Sequence, residues 1–332
     1  MHTQQIVLAS RPKGVPVLSN FRFENIDLPV MQDGEVLVRG LYYSVDPYMR
    51  GRMSDAKSYA PPFQLDKPIE GRVVGKIVES RAANFKAGEI VSGNLPWRSE
   101  TNAAAMTLQK IDEKLAPVSY YLDILGMTGL TAYFGLTDIG KPKAGETVVV
   151  SGAAGAVGMA VGQIAKIYGC RVIGIAGSDE KIKLLKEDFG FDEAINYKTT
   201  ADMKEAIAGL CPHGVDIYFD NVGGEISDAV ISNINFNARI PLCGQISLYN
   251  NTGTAMGPRL QPMLLTRSVL MQGFIIGNYQ SRFPEGVRLL AQWLREGKLK
   301  SKETFVHGFD QLPSALLGLF KGDNTGKMIV EA

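Results

Sequence analysis

The order of apolar and polar positions divides the chain into three stretches. Up to about residue 120, short apolar runs at 5–8, 35–43, 71–78 and 89–92 stand between turn residues and read as strands. Pro12, Pro16, Pro29, Pro47, Pro61, Pro62 and Pro68 argue against long helices there. From Tyr121 to about residue 136 small residues suggest helical turns that pass into a strand. That strand, 146–151, is rich in Val and apolar on both faces, as a central parallel strand must be when helices cover its sheet on both sides. Val157, Val161, Ile164, Ala165 and Tyr168 then recur at helical period, and Gly169 closes the helix. Further strands are expected at 171–176, 193–197, 215–220, 238–247 and 269–276, with helices at 181–189, 200–210 and 225–234 between them. Six strands in this alternation predict an α/β fold with a doubly wound parallel sheet. The last stretch carries helices at 284–296 and 312–320. A final strand at 326–331 is expected to return to the β-rich domain.

Gly152, Gly155 and Gly158 sit at the turn between the first strand and helix of this alternation. Small residues let a backbone approach a pyrophosphate, and the helix N-terminus offers free N–H groups. The spacing is GxxGxxG rather than GxGxxG, and glycine also serves close helix–strand packing, so the motif alone is suggestive. With the surrounding βα units it predicts dinucleotide binding. An NAD-preferring site usually has a carboxylate at the end of the second strand. Here that end reads Ile175-Ala176-Gly177-Ser178, with Lys181 following at once, which favours NADP(H) over NAD. The alternative for Lys181 is an ordinary exposed helix lysine. Asp179 and Glu180 suit the first turn of the next helix.

Composition narrows the function classes. A chain of 332 residues has room for two domains, and a formal net charge of +1 gives no reason to expect nucleic acid or a membrane surface as partner. Cys170, Cys211 and Cys243 are isolated, which fits a reducing compartment rather than a disulfide scaffold. With no signal-like N-terminus and no long apolar run, a cytoplasmic location is expected. His2, His213 and His307 lack ligand spacing, so no metal site is expected.

The motifs taken together resemble the zinc-independent branch of the medium-chain dehydrogenase/reductases. The carriers are Ser44-Val45-Asp46-Pro47-Tyr48-Met49-Arg50-Gly51-Arg52-Met53, Gly126-Met127-Thr128-Gly129-Leu130-Thr131-Ala132-Tyr133, residues 151–158 and Gly177-Ser178-Asp179-Glu180-Lys181. Asn196-Tyr197-Lys198, Phe219-Asp220-Asn221-Val222-Gly223-Gly224, Ile246-Ser247-Leu248-Tyr249-Asn250 and Asn324-Thr325-Gly326-Lys327 add to them. More narrowly, the chain resembles the prostaglandin, alkenal double-bond and curcumin reductases. The resemblance implies a GroES-like catalytic domain from both chain ends (1–121 and 299–332) around a Rossmann NADP-binding domain (122–298). It also implies homodimers joined through the last Rossmann strand. Zinc enzymes of the superfamily carry Cys and His-Glu ligands where this chain has Ser44-Val45-Asp46-Pro47 and Ile69-Glu70-Gly71-Arg72, so zinc chemistry is not expected.

The implied reaction is NADPH-dependent reduction of the activated C=C bond of α,β-unsaturated ketones or aldehydes, with hydride going to the β-carbon. Such a site needs a donor for the developing enolate, and a phenol with a pKa near ~10 keeps its proton at neutral pH. Tyr249 is the first candidate and Tyr48 the second; for Tyr48 a purely aromatic wall is an equal alternative. A tyrosine that some relatives have before the last strand is replaced by Leu265-Thr266-Arg267. The expected cofactor contacts are Gly152, Gly155, Ala156, Val157 and Gly158 at the pyrophosphate, and Gly177, Ser178, Lys181 and Tyr197 at the 2′-phosphate. Met127, Thr128, Asn221, Cys243, Gly244, Tyr249, Phe274 and Asn324 are expected along the path to the nicotinamide. Asn324 also fits a turn sequence on its own terms, and Cys243 fits a small buried hydrophobe better than a nucleophile. Arg50 and Arg52 read equally as phosphate partners or surface charges. Alternatives to the enone reductase are an NADPH quinone oxidoreductase and a non-catalytic NADPH-binding redox sensor.

Overall fold

Short apolar runs become strands, and the turn residues between them become corners. The computed structural model describes residues 2–332. Its first part holds β1 (His2–Leu8), β2 (Phe21–Asp27), β3 (Glu35–Ser44), the one-turn helix α1 (Tyr48–Arg52), β4 (Glu70–Ser80), β5 (Ile90–Pro96), β6 (Glu100–Ala104) and β7 (Gln109–Lys110). The middle part holds α2 (Met127–Phe134), β8 (Thr147–Ser151), α3 (Ala156–Ile167), β9 (Arg171–Ala176), α4 (Asp179–Glu187), β10 (Glu193–Asn196), α5 (Met203–Leu210) and β11 (Val215–Phe219). It continues through α6 (Gly224–Ile231), β12 (Ile234–Leu242), α7 (Gln261–Thr266), β13 (Leu270–Gly273) and α8 (Phe283–Arg295). The chain ends with β14 (Glu303–His307), α9 (Leu312–Leu319) and β15 (Lys327–Glu331).

Contacts divide these elements into two units. The first takes the chain up to Leu122, Glu303–Asn324 and Met328–Ala332; the second takes Asp123–Lys302 and Thr325–Lys327. In the first unit, seven strands form a sheet in the order β14-β15-β3-β4-β5-β7, with β6 also on β3. The last strand returns antiparallel to β3, pairing Ile329 with Ser44. Its core gathers Trp97, Tyr43, Met49, Met53 and Ile69, with Tyr48 packed at the margin.

In the second unit six strands lie in the order β10-β9-β8-β11-β12-β13, every pair parallel. Val148, Val149 and Val150 of β8 have no exposed surface, as a strand apolar on both faces requires. From β8 the chain first builds outward through β9 and β10, then returns to place β11 on the other side of β8. The carboxyl ends of β8 and β11 therefore flank the switch point of the sheet, the crevice where doubly wound folds hold ligands. Among the described residues no helix is long and apolar enough to cross a membrane.

Two expected strands need correction, and the helical stretch before β8 is longer than expected. The fifth strand of this sheet runs over Ile234–Leu242 rather than 238–247, and the helix before it ends at Ile231. The cause is a register break: Val215 pairs with Ile234 but Ile217 with Arg239, and Asn237 between them takes a left-handed φ of 58°. That bulge turns Phe236 out to solvent and breaks the apolar alternation a pattern reading follows. Residues 122–136 do hold helical turns before β8, and a wide helical turn at Gly135–Gly140 extends α2 towards it. The last sheet strand is only Leu270–Gly273, so Phe274 lies just past it.

Candidate active site

Four segments of the second unit meet at the carboxyl ends of its strands. They are the glycine turn after β8, the turn after β9, the 220–223 turn after β11 and the 243–249 loop after β12. The glycine turn is fixed by sterics. Gly152 has φ +59°, and a Cβ on Gly158 would lie 2.4 Å from the Gly152 carbonyl oxygen and 2.7 Å from Ala153 Cα. Only glycine lets α3 begin this close to the strand it follows. Gly155 caps α3 with no side-chain hydrogen bond, unlike α4 and α5, where Ser178 Oγ accepts the Lys181 N–H and Asp202 the Glu205 N–H. The first-turn amides of Ala156, Val157 and Gly158 thus meet no capping oxygen and suit an anion. Gly326, far away in sequence, runs beside this turn and donates its N–H to the Ala154 carbonyl at 2.8 Å.

At the end of β9 the backbone is open, with Ala176, Gly177 and Ser178 and no carboxylate. The Tyr197 ring lies against Gly177, its Cε1 3.0 Å from where a Cβ would stand, and 40% of Tyr197 is exposed. Ser178 is taken up as the α4 cap, with Asp179 and Glu180 in the first helical turn as expected. The Asp179 carboxylate accepts from Asn196 Nδ2 at 2.7 Å, which holds it to its own neighbour. An open strand end with a half-buried Lys181 one turn on fits a 2′-phosphate better than a ribose hydroxyl.

Asn221 joins β11 to β8: its backbone N–H donates to Ser151 Oγ at 3.0 Å and its Nδ2 to the Ser151 carbonyl at 2.8 Å. The next loop leans on the same turn, with Cys243 and Gly244 donating their N–H groups to the Asp220 carbonyl at 2.9 and 3.0 Å. Desolvation, with Asp220 nearby, pushes the thiol of the half-buried Cys243 up to about 12, so it keeps its proton at neutral pH. Tyr249 lies seven positions past the strand end, within this loop rather than directly after β12. Its hydroxyl oxygen accepts the Gln245 N–H at 3.3 Å, which leaves the phenolic proton to be donated elsewhere. Burial raises its pKa, so the proton stays on.

The remaining candidates are placed as follows. Thr128 donates its hydroxyl to the Asp123 carbonyl at 2.8 Å, which engages it in the first turn of α2, while Met127 beside it is 39% exposed. Phe274 stands edge-on to Phe219 with ring centroids 6.2 Å apart, an aromatic wall at the end of β11. In the first unit, Tyr48 opens α1, and burial followed by the Asp46 charge raises its pKa. Arg50 Nη2 donates to the Gly14 carbonyl at 2.8 Å; Arg52 Nε donates to the Pro61 carbonyl at 2.9 Å and its guanidinium covers the Phe63 ring. Both arginines therefore fasten loops of their own unit. Asn324 belongs to the first unit and immediately precedes Thr325–Lys327, which belongs to the second. Among the described residues no group of three or more His, Cys, Asp or Glu side chains could hold a metal ion.

Sequence reasoning missed Asp220. Its carboxylate has no exposed surface and meets six donors. Oδ1 accepts from Ser151 Oγ (3.0 Å), Tyr218 Oη (2.8 Å), Val222 N (3.0 Å) and Gly223 N (2.9 Å). Oδ2 accepts from Ser227 Oγ (2.9 Å) and Gln245 Nε2 (3.1 Å). The signal available was an acid ending an apolar strand, and it did not say which donors would converge.

Comparison with known proteins fits this geometry. Residues 4–111 match a family model described as the N-terminal domain of oxidoreductase, and residues 156–292 one described as zinc-binding dehydrogenase. YfmJ of Bacillus subtilis (strain 168) is 59% identical over 330 residues, covering 99% of this chain and 97% of YfmJ. The chain belongs to the medium-chain dehydrogenase/reductase family. Within that oxidoreductase family it is 44% identical over 329 residues to the NADPH-dependent curcumin reductase of Escherichia coli (strain K12), covering 98% of this chain and 95% of that protein. The crystal structure of CurA from Vibrio vulnificus in complex with NADPH superposes with a TM-score of 0.95 at 46% identity, covering 99% of each chain. The family model's name mentions zinc, but Ser44, Glu70 and Arg72 do not make a zinc ligand set.

Proposed function

We propose that the protein is an NADPH-dependent reductase of the activated C=C bond of α,β-unsaturated ketones and aldehydes. The observation that carries this is Tyr249. Its phenol, on the loop after β12 that leans on the turn after β11, has its oxygen engaged by an N–H, and burial raises its pKa. That is what a donor to a developing enolate oxygen needs. When bound, NADPH supplies the hydride that goes to the β-carbon. The α3 N-terminus holds the pyrophosphate through the amides of Ala156 and Val157. Lys181 and Tyr197 hold the 2′-phosphate, and Asn221 fixes the turn next to the nicotinamide path. Tyr249 donates to the enolate oxygen, and water returns a proton to the α-carbon; Tyr48 is the rival donor. In this account the first unit is the GroES-like catalytic domain. Curcumin itself, the substrate named for the Escherichia coli relative, is a conjugated diketone and belongs to the proposed class.

The test is NADPH consumption with an enone, an enal, a quinone and a saturated ketone, with NADH as control. Turnover of the enone and enal with NADPH well ahead of NADH is expected. Turnover of the quinone alone would reassign the protein as a quinone oxidoreductase, and tight NADPH binding without any turnover would sink the catalytic assignment.

We also propose a homodimer joined along β13, the edge strand of the second unit's sheet, where Leu270 is 44% exposed. An apolar edge strand is a liability unless paired. Sedimentation should give twice the chain mass, and a monomer at micromolar concentration would rule the pairing out.

A further inference from the structure

Tyr249 does not reach its position by packing alone. The loop that carries it is tied to the turn after β11 by a ladder of hydrogen bonds. Besides Cys243 and Gly244 on the Asp220 carbonyl, Ser247 donates its N–H (3.1 Å) and its hydroxyl (2.7 Å) to the Val222 carbonyl. At the centre of this ladder is Gln245. Its side chain donates to Asp220 Oδ2 at 3.1 Å and to the Gly244 carbonyl at 3.0 Å, while its backbone N–H meets the Tyr249 hydroxyl at 3.3 Å. The amide is also boxed in sterically. Gly223 has φ +73°, and a Cβ there would stand 2.1 Å from Gln245 Oε1, so the glycine leaves space that the glutamine fills.

We propose that Gln245 is a positioning residue for Tyr249, anchored by the buried Asp220 carboxylate. The inference rests on Tyr249 being the enolate donor. The physical chain is short. Asp220, saturated by four donors on Oδ1, presents Oδ2 to Ser227 and to the Gln245 amide. That bond fixes the Gln245 side chain and with it the orientation of the Gln245 N–H. The fixed N–H engages one lone pair of the phenol oxygen, so the phenolic proton points away from the loop. The same N–H steadies the oxygen as its proton is shared with the substrate, because a donor to the charged form favours that form. Asp220 also receives Ser151 at the end of β8, so one carboxylate sets both the edge of the glycine turn and the donor loop.

The experiment is a double-mutant cycle of Gln245→Met and Tyr249→Phe in the full chain, with NADPH and an enone. Methionine keeps the length of the side chain and removes its donors. Gln245→Met should lower kcat roughly 10–100-fold, the usual range for a residue that orients a reacting group, and leave the NADPH KM within about twofold. In the Tyr249→Phe background the same substitution should cost almost nothing more, because both changes remove one function. Gly223→Ala, which crowds the Gln245 amide from the other side, should repeat the kcat-selective loss and its non-additivity. Losses that multiply in the double mutant, or a Gln245→Met enzyme with the parent kcat, would overturn the positioning role while leaving Tyr249 as donor. A Tyr249→Phe enzyme with the parent kcat would instead remove the tyrosine's role and this inference with it.

Discussion

Two turns at the same edge of the same sheet are built by opposite means. The 152–158 turn is shaped by what is missing: side chains at Gly152 and Gly158, and a capping oxygen at Gly155. The 243–249 loop is shaped by what is present: six donors around Asp220 and the Gln245 link to Tyr249. The first offers backbone amides to any phosphate of the right size. The second engages the oxygen of one hydroxyl, that of Tyr249, which the proposed function makes the proton donor. A reductase needs both kinds of site, a tolerant cradle for a cofactor it binds whole and a fixed donor at the reacting atoms.

Substitutions should separate the two. The largest effect is expected in the donor loop. Tyr249→Phe should lower kcat by about 10²–10⁴-fold, the span of general-acid contributions, with NADPH affinity by fluorescence titration unchanged. If Tyr48→Phe carries that loss instead, the donor belongs to the first unit. Next comes the phosphate end. Lys181→Ala should cost about 10–100-fold in NADPH affinity and far less in NADH affinity, since a hydrogen bond to a charged group is worth roughly 1.5–3 kcal/mol. Equal losses for both cofactors would return Lys181 to an ordinary helix lysine. The smallest effect is expected from Gly158→Ala. Its Cβ has only backbone to push against, 2.4 Å from the Gly152 carbonyl, so overpacking should destabilise the protein by about 1–3 kcal/mol. The transition should fall by a few degrees, roughly 2–4 °C per kcal/mol in a domain of this size, and the NADPH KM should rise. An unchanged melting curve would mean that α3 can slide on β8 at little cost.

The same contrast explains what could be read from the sequence. The strands of the second sheet were legible because continuous apolar runs and helical spacing are local signals, and Val148, Val149 and Val150 are as buried as their pattern implies. The glycine turn was legible because steric need is written in residue type. β12 was misplaced because the bulge at Asn237 breaks its alternation. Tyr249 stands in the segment that follows β12, but the residue pattern of that segment does not show what supports it. The donors to Asp220 come from as far as 69 positions before it and 25 after it, and only the folded sheet brings them together. Thr128, expected on the nicotinamide path, donates its hydroxyl to the Asp123 carbonyl, a bond local spacing does not announce.

The most direct test of the central claim is to reduce an α,β-unsaturated ketone with NADPH carrying deuterium at the transferred position and to locate the label by mass spectrometry and NMR. Deuterium at the β-carbon of a saturated ketone product is the predicted result. Deuterium at the carbonyl carbon of an allylic alcohol would contradict it, since the hydride would then have gone to the C=O bond and Tyr249 would serve an alkoxide rather than an enolate.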